Sequence, residues 1–258
     1  MTRMKLSLAV TGQPGPLPPV LVAHGLFGQA RNLGVISRAL SETRQVLAVD
    51  MRNHGDSPWN DRHDYDALAE DLAEVIRAHG EQVDVVGHSM GGKAAMRLAT
   101  TQGGLVRRLA ILDIAPLAYG HTQDGIIEAL EATDVASATS RSGADTLLAE
   151  QLDDHSVRAF LLQSLDLKAS PPRWKMNLAA LRAEMEKLTG WPEGGVPFDR
   201  PALFLRGGDS SYVTDEGESA IRALFPQAVI ETIPDTGHWL HAEKPGQVAP
   251  RVVEFLGG

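Results

Sequence analysis

Short aliphatic and β-branched runs recur along this chain, and each stops at a polar or turn-forming residue. Residues 20–23 lead into His24-Gly25, 45–49 into Asp50, 83–86 into Gly87, 108–112 into Asp113, 202–205 into Arg206-Gly207-Gly208, and 228–233 into Pro234. Strands this short and this continuously apolar belong in a sheet covered on both faces. The stretches between them carry helical periodicity. Within residues 66–79, Leu68, Leu72, Val75 and Ile76 share one face; Leu33, Ile36 and Leu40 form a second stripe, and Ile221, Leu224 and Phe225 a third. Strand and helix in alternation demand crossover connections, hence an α/β fold with a mostly parallel, doubly wound sheet.

The alternation stops between Pro116 and Pro201, where no convincing strand and four helical patterns are found. The first pattern lies on Ile126, Ile127 and Leu130. The second, on Leu147, Leu148 and Leu152, is opened by Ser142 with Asp145 at capping-box spacing. The third lies on Val157, Phe160, Leu161 and Leu165, and the fourth on Leu178, Leu181, Met185 and Leu188. The expected organisation is a core of residues 1–116 and 200–258, with a helical cap, residues 117–199, inserted between two strands.

Composition narrows the functional classes. In 258 residues, 24 Lys and Arg stand against 33 Asp and Glu, a net charge of −9 that argues against a protein tracking nucleic-acid phosphates. The absence of Cys excludes disulfides, thiolate metal sites and a Cys nucleophile. Residues 1–10 hold only a broken apolar patch, too weak for a secretory segment, and no apolar run approaches the ~18 residues of a membrane span. The expected setting is cytoplasmic and the expected partner a small molecule, with no nucleic acid and no membrane span. Oligomeric state leaves no mark in the sequence.

One pentapeptide carries chemistry. Gly87-His88-Ser89-Met90-Gly91 sits directly after the run 83–86 and before a helix-forming stretch that begins Lys93-Ala94-Ala95. A nucleophilic Ser on a sharp strand-to-helix turn needs small residues two positions to either side, because a Cβ there would strike the neighbouring strand or helix. The helix N-terminus behind it offers N–H groups and positive dipole to a developing oxyanion. Such a Ser needs a base, and His238, in Thr236-Gly237-His238 after the last run, fits. His241 reads as a packing residue rather than half of a metal pair, since no carboxylate stands at ligand spacing. His63, in Asp61-Arg62-His63-Asp64, and His155, in Asp153-Asp154-His155, read as solvated loop residues. His24 and His88 read as buttresses of backbone turns. No metal and no cofactor is required.

Two carboxylates compete to orient the base. Asp113 ends the run 108–112 and Asp209 follows the run 202–205, and both stand at C-terminal strand ends, where an open α/β sheet places its chemistry. For an oxyanion hole, Met90 offers the N–H next after the nucleophile. Leu26, in His24-Gly25-Leu26-Phe27-Gly28, offers the second.

These stretches have company: Asp50-Met51-Arg52-Asn53-His54-Gly55-Asp56-Ser57, Gly92-Lys93 after the pentapeptide, Asp113-Ile114-Ala115-Pro116, and Gly237-His238-Trp239-Leu240-His241-Ala242-Glu243-Lys244-Pro245. With them the chain resembles the α/β-hydrolase superfamily and, more narrowly, small bacterial esterases of the YbfF type and their mitochondrial relatives. The likeness covers nearly the whole chain and is weakest in the cap. It implies an α/β-hydrolase fold. In many such proteins the acid follows the penultimate strand, at a position that falls on Ser210 here, one beyond Asp209. The related esterases look to have Asn in place of Asp209, so the resemblance favours Asp113.

The resulting expectation is a metal-independent serine hydrolase, a carboxylesterase or acyl thioesterase, working through an acyl-Ser89 intermediate with His238 as base and Asp113 as acid. Trp174, Trp191 and Phe160, with Leu and Met residues of the cap, are candidates to line an acyl pocket, although any one of them also suits plain cap core. The same constellation supports C–C bond hydrolysis, lactone opening or perhydrolysis. Some proteins of this fold are ligand receptors, which a missing His or a degraded oxyanion loop would have favoured; neither is seen.

Overall fold

Hydrogen-bonded pairing gathers the apolar runs into one seven-stranded sheet. The computed structural model describes residues 4–80 and 82–257. Residues 1–3, part of the stretch read for a secretory segment, and residue 258, the end of the expected core, lie outside the described residues.

In chain order the first half holds β1 (Leu8–Thr11), β2 (Val20–Ala23), α1 (Gly34–Ser41), β3 (Val46–Val49), α2 (Tyr65–His79), β4 (Val83–His88), α3 (Met90–Thr101) and β5 (Val106–Leu112). Next come α4 (Asp124–Ala132), α5 (Arg141–Ala149), α6 (His155–Leu161), β6 (Leu165–Asp166), β7 (Arg173–Trp174), α7 (Leu178–Ala183) and α8 (Met185–Thr189). The chain then returns through β8 (Ala202–Gly207), α9 (Asp215–Leu224), β9 (Ala228–Ile233), α10 (Leu240–Glu243) and α11 (Pro245–Gly257).

The large sheet runs β1-β3-β2-β4-β5-β8-β9, parallel throughout except where β1 pairs antiparallel with β3. Alternate strand residues face opposite layers. Leu21, Val85 and Ile111 meet Leu68 and Leu72 of α2 and Ala94 and Leu98 of α3. Val20, Val22, Val86 and Leu112 meet Leu33, Ile36 and Leu40 around α1, and Val248, Val252 and Leu256 of α11. At the opposite ends of the strands from the candidate site, fully buried Asp84 pairs with Arg44 at 2.7 Å and Arg107 at 2.5 Å.

Several details depart from the sequence reading. β1 went unread because it is a mostly exposed edge strand and so lacks a continuous apolar run. The α11 stripe went unread because Pro250 interrupts it. Between β5 and β8 the chain is helical, yet it also holds the two-residue β6–β7 ladder, in which Leu165 pairs with Trp174. Leu165 therefore belongs to a strand and not to the third helix. The N-cap of α5 is Ser140, which accepts from the Gly143 N–H at 3.0 Å. Ser142 does not cap, and Asp145 instead pairs with Arg158 at 2.9 Å. Leu152 lies beyond the end of α5, and the fourth pattern divides at Glu184 into α7 and α8. Among the described residues no helix is long and apolar enough to cross a membrane.

Candidate active site

Ser89 joins β4 to α3 with φ 52° and ψ −121°, a strained left-handed geometry for a side-chain-bearing residue. The flanking glycines explain how the turn fits. A Cβ on Gly87 would lie 2.6 Å from the Gly91 carbonyl oxygen, and one on Gly91 would lie 2.4 Å from the carbonyl oxygens of Ala23 and His24. The strain presents a half-buried Ser89 at the first turn of α3, in a cavity of about 270 Å³ that His238, Leu26 and Met90 also line.

The bend after β5 gives Asp113 a φ of 50° and buries its carboxylate. His238 Nδ1 lies 2.8 Å from Asp113 Oδ2. The Gly207 N–H donates to Oδ1 at 2.9 Å, and the Ser210 hydroxyl donates to Oδ2. The His238 ring stacks on Tyr212 with centroids 3.9 Å apart and planes 20° apart. His88 Nε2 donates to the His238 carbonyl at 2.9 Å, fixing the loop that carries it. Asp209 is exposed, and its backbone N–H bonds the Thr236 carbonyl at 2.9 Å. The structure thus brings Ser89, Asp113 and His238 to one end of the sheet and leaves the Asp209 carboxylate in solvent.

The loop after β2 is held by histidines. The Met51 N–H donates to His24 Nε2 at 2.9 Å while His24 Nδ1 donates to the Gly25 carbonyl at 2.7 Å. The Phe27 N–H donates to His54 Nε2 at 3.1 Å, and the Gly28 N–H to the Gly25 carbonyl at 3.1 Å. The Leu26 and Met90 N–H groups have no protein acceptor among the described residues. The Asp50–Ser57 motif is the scaffold of this loop. Asp50 accepts from the Ala30 N–H at 2.8 Å and the Asp56 N–H at 2.9 Å, and Arg52 grips Asp71 of α2 at 2.6 and 2.8 Å.

His63 is not a solvated loop residue. It is fully buried, accepts from Asn53 Nδ2 at 3.1 Å and points Nε2 at the Met90 sulfur 3.4 Å away. Its charged neighbours do not reveal that the loop folds back against Met90. His155 is exposed at the start of α6, and His241 is buried with its ring edge-on to His88 at 4.5 Å. Burial lowers His24 to about 4, His54 to about 3 and His241 to about 4, and pushes His63 and His88 well below the usual imidazole range.

Phe160 lines the cavity with Leu161, Met185, Leu188 and Trp239. Trp174 and Trp191 do not. Trp174 is buried among the helices between β5 and β8, its indole N–H donating to the Leu130 carbonyl at 3.0 Å, and Trp191 packs toward Tyr65. Sequence reading also missed Tyr119, Tyr212 and Lys93 as cavity residues. The first two carry no local motif; Lys93 was in view as part of Gly91-Gly92-Lys93.

A doubly wound sheet with a strained serine at a strand-to-helix turn and a His–Asp pair beside it defines the class of α/β-fold hydrolases. The alpha/beta hydrolase family matches residues 20–251, and the chain belongs to it. It is 37% identical over 262 residues to the sn-1-specific diacylglycerol lipase ABHD11 of Mus musculus, covering 98% of this chain and 85% of that protein. It is 37% identical over 243 residues to the esterase YbfF of Escherichia coli strain K12, covering 92% of each. A solved marine microorganism esterase superposes with a TM-score of 0.93 at 36% identity, covering 98% of this chain and 99% of that one.

Proposed function

We propose that this chain is a serine hydrolase of carboxylic esters, working through an acyl-Ser89 intermediate. Ser89 Oγ attacks the acyl carbon as His238 takes its proton, and Asp113 holds the imidazole tautomer and stabilises the cation that forms. The Leu26 and Met90 N–H groups receive the oxyanion. His238 then gives its proton to the leaving group and activates the water that cleaves the acyl-enzyme. The observation that carries the reading is the 2.8 Å contact of His238 Nδ1 with buried Asp113, in a ring that shares its cavity with Ser89.

The lining of Phe160, Leu161, Met185 and Leu188 suits an aliphatic acyl chain. Acyl thioesters present the same electrophilic carbon and belong to the proposed substrate range. Glyceride esters, the class named for the mouse relative, belong there as well. A cytoplasmic setting completes the proposal and is checked by cell fractionation.

The test is hydrolysis of p-nitrophenyl esters from C2 to C12, diacylglycerols and acyl-CoA thioesters by the wild type and Ser89→Ala. Loss of the nucleophile lowers kcat by about 10⁴-fold or more. Ester turnover that survives Ser89→Ala in the folded protein refutes the acyl-Ser89 route.

A further inference from the structure

Lys93 sits one turn into α3 from Ser89, is 1% exposed and has no carboxylate partner among the described residues. An unneutralised lysine in such a place is costly, and burial pushes it down to about 7. Apolar packing alone would be served by Leu or Met there; what Lys adds is N–H donors. Its Nζ donates to the Thr189 carbonyl at 3.1 Å and the Gly190 carbonyl at 2.7 Å, both at the C-terminal end of α8. It also stands 4.6 Å from the Tyr119 ring centroid and 5.4 Å from that of Tyr65.

These contacts join both crossings between core and cap. Tyr119 lies where the chain leaves β5 for the helical segment, and Thr189 and Gly190 lie where it starts back toward β8. The Tyr119 N–H donates to the same Thr189 carbonyl at 2.9 Å, and the Tyr65 hydroxyl to the Leu188 carbonyl at 2.7 Å. Lys93, Tyr65, Tyr119, Leu188 and Thr189 all line the cavity that holds Ser89.

From this geometry we infer that Lys93 is a positioning residue for the acyl pocket: it ties the outgoing and returning crossings of the cap to the nucleophile-bearing helix and so holds the wall on which longer acyl chains lean. A short acyl group is held chiefly at Ser89 and the oxyanion donors, all in the core. A longer one needs Tyr119, Leu188 and Thr189 in register with them. A neutral amine keeps two N–H donors for the two carbonyls, so the clamp works in either protonation state. The pocket half of this inference rests on the ester-hydrolase reading, whereas the clamp itself does not.

Lys93→Met keeps most of the side chain's length, ending one atom short of Nζ, and removes its donors. The expected result is a loss of kcat/KM about tenfold larger on p-nitrophenyl decanoate than on the acetate, carried by KM. Amide hydrogen exchange at Tyr119 should accelerate at least tenfold. Because the chain has no Cys, Lys93→Cys introduces a unique thiol. Alkylation with 2-bromoethylamine in denaturant, followed by refolding, rebuilds an amine of nearly lysine length and should recover decanoate turnover. If Lys93→Met does not fold, the alkylated and unalkylated Cys variants, taken through the same refolding, make the comparison. Equal losses on both esters, no loss, or failed recovery by the alkylated protein overturns the inference. So does a loss confined to acyl chains ending in a carboxylate, which would make Lys93 an anion-binding group. If the wild type cleaves no ester, the ester-hydrolase reading fails, and Tyr119 exchange still decides the clamp.

Discussion

Asp113 accepts three hydrogen bonds, from the Gly207 N–H through Oδ1 and from His238 and the Ser210 hydroxyl through Oδ2. An amide in its place would turn a donor toward one of these donors and leave His238 free to take the wrong tautomer. Asp113→Asn is therefore expected to lower kcat by ~10³–10⁴-fold. Asp209→Asn, at an exposed side chain, should stay within twofold of wild type in the same ester assay; the reverse ranking would assign the acid to Asp209. Sequence reading left these two open until the resemblance favoured Asp113, because both stand at strand ends and spacing alone cannot say which carboxylate turns inward. Ser210 shows the limit more sharply. It stands at the position where many α/β-hydrolases place the acid, yet an uncharged hydroxyl gives no sign that it will donate to Asp113 at the end of the neighbouring strand. That contact exists only because β5 and β8 are adjacent and in register, with Leu112 opposite Leu205.

At the scale of the element, the strand-to-helix turn was the most legible feature, because its glycines answer to a steric rule that acts within a few residues. Gly91→Ala tests that rule. Its Cβ would meet two backbone oxygens at 2.4 Å, at the end of β2 where the Leu26 loop begins. The expected cost is about 3 kcal/mol in denaturant unfolding, at the upper end for overpacking, with ester turnover falling at least 100-fold as the Leu26 donor shifts. Gly104→Ala, where nothing lies within 4 Å of a Cβ, is the control and should change neither. A Gly91→Ala protein of wild-type stability and activity would remove the steric account of the turn. The inner strands were equally legible, since burial on both faces writes itself as a continuous apolar run. β1 and α11 were not, one being exposed and the other broken by Pro250. Between β5 and β8, helix caps and breaks at Ser140 and Glu184 depend on local hydrogen bonds that several nearby residues could equally have made.

At the scale of the whole molecule, the buried histidines tie the site to stability. His24, His54, His63, His88 and His241 are each held below the usual imidazole range by burial. Unfolding returns them to about 6.5, so between that pH and their folded values the unfolded chain binds more protons than the native one. The stability they contribute is complete above pH about 6.5 and is lost as pH falls through their folded values, about 4 for His24 and His241 and about 3 for His54. At pH 5.5, the three rings held at about 3 to 4 predict uptake of about two to three protons on unfolding, and His63 and His88 add to it. Lys93 acts in a different window. Its folded value of about 7 lies below the ordinary 10.5, so near pH 8.5 the histidine contribution vanishes and about one proton remains to be taken up. Denaturant unfolding in weak buffer, followed by back-titration, measures both numbers. Uptake below about two protons at pH 5.5 would mean that these imidazoles are not held neutral, and the hydrogen-bond directions assigned to His24 and His54 beneath the Leu26 loop would fall with them. The same experiment on Lys93→Met should remove the alkaline proton and leave the acid-side uptake unchanged, because the acid-side protons belong to the buried imidazoles, whereas Lys93 stays protonated at pH 5.5 in both the folded and the unfolded chain.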